Sequence, residues 1–151
     1  MLGKLKSIAK RIGAINQNKL VKEIFSAEIL QSQIIDLNQK QLYEKGIQAD
    51  GQPTGEYAYN TIYGTSRYEG KIAKGQPYDH ITLKDTSAFY NSMDVVAQSD
   101  NVIMKVKDPN DLQAIYPEAL GLTSESLQEL RTEIKERFCD VFKNKLHTGP
   151  L

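Results

Sequence analysis

Val95-Val96-Ala97-Gln98-Ser99-Asp100-Asn101-Val102-Ile103-Met104-Lys105-Val106 is the stretch that decides the fold class. Two runs rich in β-branched residues flank the polar triplet Ser99-Asp100-Asn101, so the stretch predicts an antiparallel hairpin with a three-residue turn. Ile81-Thr82-Leu83 predicts one further short strand. On either side the period lengthens to that of a helix. Upstream, residues 18–45 place Leu20, Ile24, Ala27, Ile34, Ile35 and Leu42 on one face, with Lys22, Ser26, Gln33, Asp36 and Lys40 on or near the other. Gly46 follows, where a left-handed residue is expected past the last turn.

Downstream, a short helix over 110–116 is expected to stop at Pro117, and a long one to begin with Thr123 or Ser124 as its cap. Its expected buried stripe is Leu127, Leu130, Ile134, Phe138, Val141 and Phe142. Glu125 and Glu129 come early and Lys143 and Lys145 late, as the helix dipole favours. The order helix, loop, strands, helix gives an α+β class. Its parts are a long N-terminal helix, an irregular Tyr/Gly-rich loop, a small antiparallel β hairpin or sheet and a C-terminal helix.

With 151 residues the chain suits one domain, over 18–146, preceded by a basic segment at 1–17 and followed by a tail at 147–151. Nineteen basic and nineteen acidic side chains cancel, which excludes a globally basic nucleic-acid binder and an acidic tail protein. A mean hydropathy of −0.48 and the lack of a long apolar run argue against a membrane span. The one cysteine, Cys139, excludes an intramolecular disulfide and suits a reducing compartment. It flanks the last helix's stripe and is expected to be a packed thiol.

Residues 1–22 carry Lys4, Lys6, Lys10, Arg11, Lys19 and Lys22, with no acid before Glu23. Leu2, Leu5, Ile8, Ile12 and Ile15 recur at helical steps, so this is a basic amphipathic segment. It lacks the continuous apolar run and small-residue cleavage site of a signal peptide. A membrane surface or nucleic acid could take it, but a stripe without Trp or Phe favours packing on its own domain or on a neighbouring copy. Gln31 and Asn38, seven residues apart, fall within the apolar stripe of the helix over 18–45. They either fix the register of packed helices or sit at the stripe's exposed end; the second is the expectation.

Residues 46–78 hold six of the ten glycines and five of the eight tyrosines: Tyr57, Tyr59, Tyr63, Tyr68 and Tyr78. A loop this long inside one domain is usually functional or disordered, and five tyrosines fit disorder badly. Tyrosine among Gly, Asn, Gln and Ser is the composition of recognition surfaces. The alternative is an irregular hairpin folded back on its own domain. The candidate protein-interface residues are Tyr57, Tyr59, Tyr63, Arg67 and Tyr68, with Gln31 and Asn38 on the helix.

No catalytic residues, cofactor site or metal site emerge. Residues 64–71 resemble a phosphate loop only briefly: five residues separate Gly64 from Gly70, and Ile72 stands where Ser or Thr would hold magnesium. His80 and His147 are far apart, and no paired metal-ligand spacing exists. Asp79-His80 lacks a nucleophile elbow, so His80 is expected to order the turn entering the Ile81 strand. Arg67, Lys71, Lys74 and Lys84 interleave with tyrosines as in single-strand binders, but Glu56, Glu69, Asp79 and Asp85 offset that charge.

One series of motifs resembles the phage tail-completion family of virion morphogenesis proteins, also described as head–tail joining proteins. It consists of Asp50-Gly51-Gln52-Pro53, Tyr59-Asn60-Thr61, a spacer to Lys74-Gly75, and Leu83-Lys84-Asp85-Thr86-Ser87-Ala88-Phe89-Tyr90-Asn91-Ser92. The family shows a D-G-x-P turn, a Thr before a basic spacer, and L-x-D-T-G-x-L-x-x-S, with Ser87 here at the glycine position. A long helix precedes this pattern and a hairpin follows it, so the likeness covers about residues 18–106. By residue chemistry alone, Asp85 or Thr86 would cap a short turn, Phe89 and Met93 would bury it, and Ser92 would end it.

The resemblance implies a non-enzymatic, multi-copy virion subunit of the head–tail connector, neck or tail-completion ring, assembled in the host cytoplasm. Its partners would be copies of itself and portal, connector or tail proteins, with no membrane and no nucleic acid beyond DNA passing through the ring. The alternative is a small nucleic-acid-binding regulatory protein.

Overall fold

In the computed structural model, which describes residues 10, 12–85, 87–98, 101–107 and 111–148, the expected helix over 18–45 is three pieces. They are α1 (Gln17–Phe25), α2 (Glu28–Lys40) and a π-helical turn, Gln41–Lys45. Asn16 caps α1 by accepting from the Lys19 amide at 3.0 Å. The break lies at Ser26 and Ala27, where Ala27 turns extended (ψ 121°). Its cause is a phase slip in the apolar pattern. Leu20 and Ile24 are buried in α1, Leu30 and Ile34 in α2, and Leu30 follows Ile24 by a step of six positions. On a straight helix that step would turn Leu30 about 120° away from Ile24. Breaking the helix lets both faces reach one core.

Gly46 closes the π turn in the left-handed conformation, as expected (φ 62°). After it come α3 (Tyr59–Tyr63), α4 (Ala88–Asn91), β1 (Asp94–Ala97), β2 (Val102–Lys105), α5 (Leu112–Ile115) and α6 (Ser124–Thr148). β1 and β2 pair antiparallel with Val95 opposite Met104 and Val96 opposite Ile103. Ser99 and Asp100 of the expected turn lie outside the described residues, as do Asn110 of the expected short helix and most of the basic segment. The α+β class and the long C-terminal helix are as expected.

Ile81-Thr82-Leu83 is not a strand. The Ile81 amide donates to Gly55 O at 2.9 Å and the Thr82 amide to Tyr57 Oη at 3.0 Å. Those amides serve the preceding loop and have none left for a ladder. Leu83 itself turns left-handed (φ 54°).

Two apolar clusters fill the interior. Leu20, Ile24, Leu30, Ile34, Val95 and Leu130 join α1, α2, β1 and α6. Leu42, Leu83, Phe89, Tyr90, Met93 and Ala119 form the second, under the decapeptide. Phe89 and Met93 are buried there as expected, and Ser92 ends α4. The Ser92 hydroxyl accepts from the Lys107 amide at 3.2 Å and lies 2.7 Å from Lys107 O, tying α4 to the end of the hairpin. The Tyr90 hydroxyl donates to Thr82 O. Burial pushes its phenol well above the ordinary tyrosine value, with Tyr57 and Tyr43 adding to the rise.

Ser87, at the start of α4, has φ 64° and makes no side-chain cap bond. A left-handed residue with a Cβ is strained by about 1 kcal/mol, a cost glycine escapes. Ser87→Gly is therefore expected to stabilise the chain by no more than about 0.6 kcal/mol, once glycine's larger unfolded-state entropy, about 0.4–1 kcal/mol, is deducted. Urea titration checks this; a lowered midpoint at unchanged slope contradicts it.

α6 runs antiparallel to the α1–α2 rod. Lys45 meets Glu125 at 2.7 Å near one end, and Glu23 meets Lys145 at 2.7 Å near the other. Of its expected stripe, Leu130 is buried and Ile134, Val141 and Phe142 are partly so, whereas Leu127 and Phe138 are exposed. Cys139 is exposed as well, correcting the expected packed thiol.

Asn38 is fully buried and holds register, against the expectation that it sits exposed. Its Nδ2 donates to Ala119 O at 2.9 Å and Gly121 O at 2.6 Å. Gln41 stands beside it at 2% exposure. Its Nε2 donates to Gly121 O at 2.9 Å, while its Oε1 accepts from the Thr123 amide and the Ser126 hydroxyl, each at 3.1 Å. Thr123 caps α6 by accepting from the Ser126 amide at 3.2 Å. Two amides from the rod thus clamp the approach to α6. Among the described residues, no helix is long and apolar enough to cross a membrane.

Candidate interaction site

The loop over 46–78 is braced at its base and folded upon itself. Asp50-Gly51-Gln52-Pro53 forms a tight turn: the Gln52 amide donates to Asp50 Oδ1 at 3.0 Å, and Gly51 takes φ 83°. Ile47 bridges Pro53 across it. Thr54 is the anchor. Its amide donates to Gly46 O at 2.7 Å, and its hydroxyl lies 3.0 Å from that oxygen and 2.6 Å from Ile81 O. His80 packs on Gly46, where an added Cβ would fall 2.4 Å from the imidazole. Its Nε2 lies 2.8 Å from Tyr43 O and its Nδ1 3.0 Å from Asp79. His80 therefore fastens the end of the π turn to the loop's return, rather than preceding a strand.

Beyond this base the chain makes α3 and then a hairpin-like turn closed by the Gly64–Glu69 bridge. The Thr65 amide donates to Tyr68 O, Lys71 to Thr61 O and Ile72 to Ile62 O, at 2.9, 3.0 and 3.2 Å. These bonds hold α3 against residues 71–72 without a hydrophobic core. Gly64 and Gly70 allow the approach: a Cβ on Gly70 would lie 2.3 Å from Gly64 N and Ile62 O.

Here the candidate tyrosines separate into two roles. Tyr59 and Tyr63, one helical turn apart on α3, are 72% and 59% exposed, with ring centres 4.5 Å apart. Tyr68 is 53% exposed, and Tyr63, Arg67 and Tyr68 line one shallow depression. Ile72, which composition did not single out, is exposed nearby in sequence, as is Tyr78. Tyr57 turns inward instead. Its hydroxyl lies 3.0 Å from Thr82 Oγ1, and Lys71 Nζ sits 4.4 Å from its ring centre. Gln31, half-buried, and Asn38, in the interior, are on α2 and are not among the residues lining this depression. Asn38 is withdrawn as a surface residue, because both of its donor bonds are spent inside the chain.

The outward side chains form an aromatic platform of mixed charge, with Arg67 and Glu69 lining the same depression as Tyr63 and Tyr68. Such a platform can offer broad, stiff contact area with hydroxyl donors and acceptors at its rim. Neither protein-family models, nor curated proteins, nor solved structures give a match to this chain.

Proposed function

We propose that this chain is a non-enzymatic structural subunit that works in several copies around a symmetry axis, in the head–tail connector, neck or tail-completion ring of a tailed phage. The observation that carries it is the exposed Tyr59–Tyr63 pair with Tyr68, held by a braced loop whose backbone bonds leave the rings turned outward. Scattered exposed aromatics need no explanation, but a cluster on a stiff support is what a partner surface offers. The virion assignment rests on the resemblance in residues 50–92. Two features support it: the D-G-x-P segment is a tight turn, and Ser87 is left-handed at the family's glycine position. A ring built by rotation needs two different complementary patches on each copy, and the tyrosine platform is proposed as one.

The test is Tyr59→Ala with Tyr63→Ala, compared with the unaltered chain by native mass spectrometry and electron microscopy. The unaltered chain is expected to form closed multimers. The double variant is expected to stay monomeric with unchanged circular dichroism and melting, since both rings are more than half exposed. Normal assembly of the variant defeats the proposal. Salt-sensitive DNA binding by a chain that never self-associates would favour the nucleic-acid regulator instead, through Arg67 and the exposed tyrosines.

A further inference from the structure

Beside the seam where Leu37 of α2 meets Leu130 of α6, the two helices leave a groove of about 200 Å3. Its walls carry Asp36, Glu129 and Glu133, and an adjoining depression adds Glu136 and Asp140. The four acids of α6 recur at steps of three and four, so they form one stripe along the helix. Lys40 and Arg137 offset part of this charge. Among the described residues none of the five carboxylates is in an ion pair; the ion pairs of α6 are made near its ends, by Glu125 and Lys145. Gln33 lines both depressions, and its Oε1 is shut off from solvent with no donor. The groove therefore has an apolar floor, a surplus of negative charge and an acceptor left unsatisfied.

We propose that this groove receives residues 1–11 of a neighbouring copy. The inference rests on the multi-copy reading above and names the second of the two patches that reading requires. The segment is complementary in both respects: Lys4, Lys6, Lys10 and Arg11 come with no acid, and Leu2, Leu5 and Ile8 can face the floor. The ring reading, which requires two different patches on each copy, selects a neighbour's segment over the chain's own. Glu23 of α1 meets Lys145, twelve and sixteen residues, about 18 and 24 Å, along α6 from Glu133 and Glu129. Each copy would then reach forward with its basic segment and receive another's, a heterologous contact that rotation repeats.

Cys139 shares a depression with Glu136 and Asp140, is exposed, and is the chain's one cysteine, which makes it a native probe. Ser7→Cys adds a second thiol of nearly the same size within the basic segment. Under mild oxidation the Ser7→Cys chain is expected to give a covalent ladder extending beyond dimers, with peptide mapping showing residue 7 joined to residue 139. Glu129→Lys with Glu133→Lys in the same background should abolish the ladder while leaving circular dichroism unchanged. Monomer carrying an internal 7–139 bond would place the segment in its own groove and overturn the proposal. So would dimers linked only 139–139 or 7–7. Multimers in native mass spectrometry without the 7–139 ladder would overturn this docking mode alone and leave the ring reading standing.

Discussion

Gln41→Leu is expected to cost about 2–4 kcal/mol of stability, because it strands the buried Thr123 amide and takes away the acceptor of the buried Ser126 hydroxyl. The leucine fills much of the same space, so the loss is not one of volume. The Thr123 amide is left without its acceptor in the interior, and the Ser126 hydroxyl keeps only Thr123. Gly121 O retains Asn38, which keeps the cost from rising further. For a chain of this length the melting temperature should fall by about 6–12 °C. Gln128→Leu, on the exposed side of α6, should move stability by no more than about 0.5 kcal/mol. Thermal denaturation of the two variants side by side reads the difference. Equal melting points would mean that the clamp of Asn38 and Gln41 does not hold the start of α6.

Gly70→Ala is expected to open the tyrosine platform while leaving the core intact. The added methyl would meet Gly64 N, Ile62 O and Tyr63 C at 2.3–2.4 Å, all of them backbone atoms with no side chain to swing away. Either the Gly64–Glu69 bridge parts or α3 leaves residues 71–72. Overpacking of this kind costs about 1–3 kcal/mol. Hydrogen exchange at the Lys71 and Ile72 amides should accelerate by about ten- to a hundredfold, at roughly 1.4 kcal/mol per factor of ten. Amides of α2 and α6 should be unaffected. Multimers should weaken as well, although every tyrosine is still present. Gly75→Ala separates crowding from backbone strain, since Gly75 is left-handed (φ 62°) but has open space around it. It should cost about 1 kcal/mol without accelerating exchange at Lys71 and Ile72. Unchanged exchange in Gly70→Ala would mean that the glycine's close approach does not organise the platform.

Both variants probe features that periodicity hides. The helical character of residues 18–45, the hairpin and the long last helix follow from local patterns of apolar side chains, and all are found. The break at Ser26 and Ala27 leaves a trace in the six-position step from Ile24 to Leu30, visible once the two halves are phased separately. The burial of Asn38 leaves no such trace. Whether an amide in an apolar stripe is exposed or clamped depends on carbonyls at Ala119 and Gly121, some eighty residues away. Gln41 was missed altogether, because a glutamine near a helix end resembles any solvated one until the start of α6 is placed over it.

The candidate site divides along the same line. Composition singled out residues 46–78 and their tyrosines, because so many glycines and aromatics in one segment are conspicuous without coordinates. It could not separate Tyr57, drawn inward to Thr82, from Tyr59, Tyr63 and Tyr68, which face solvent. Nor could it foresee that Ile81 and Thr82 give their amides to the loop instead of to a strand. What the sequence determined by itself is the class, the order of elements and the segment rich in potential contact residues, since each follows from near neighbours in the chain. Tertiary structure alone decided which polar groups are spent inside and which aromatic rings remain free. The partner of a hydrogen bond or the cover over a ring comes from wherever the chain returns, and no local pattern encodes that distance.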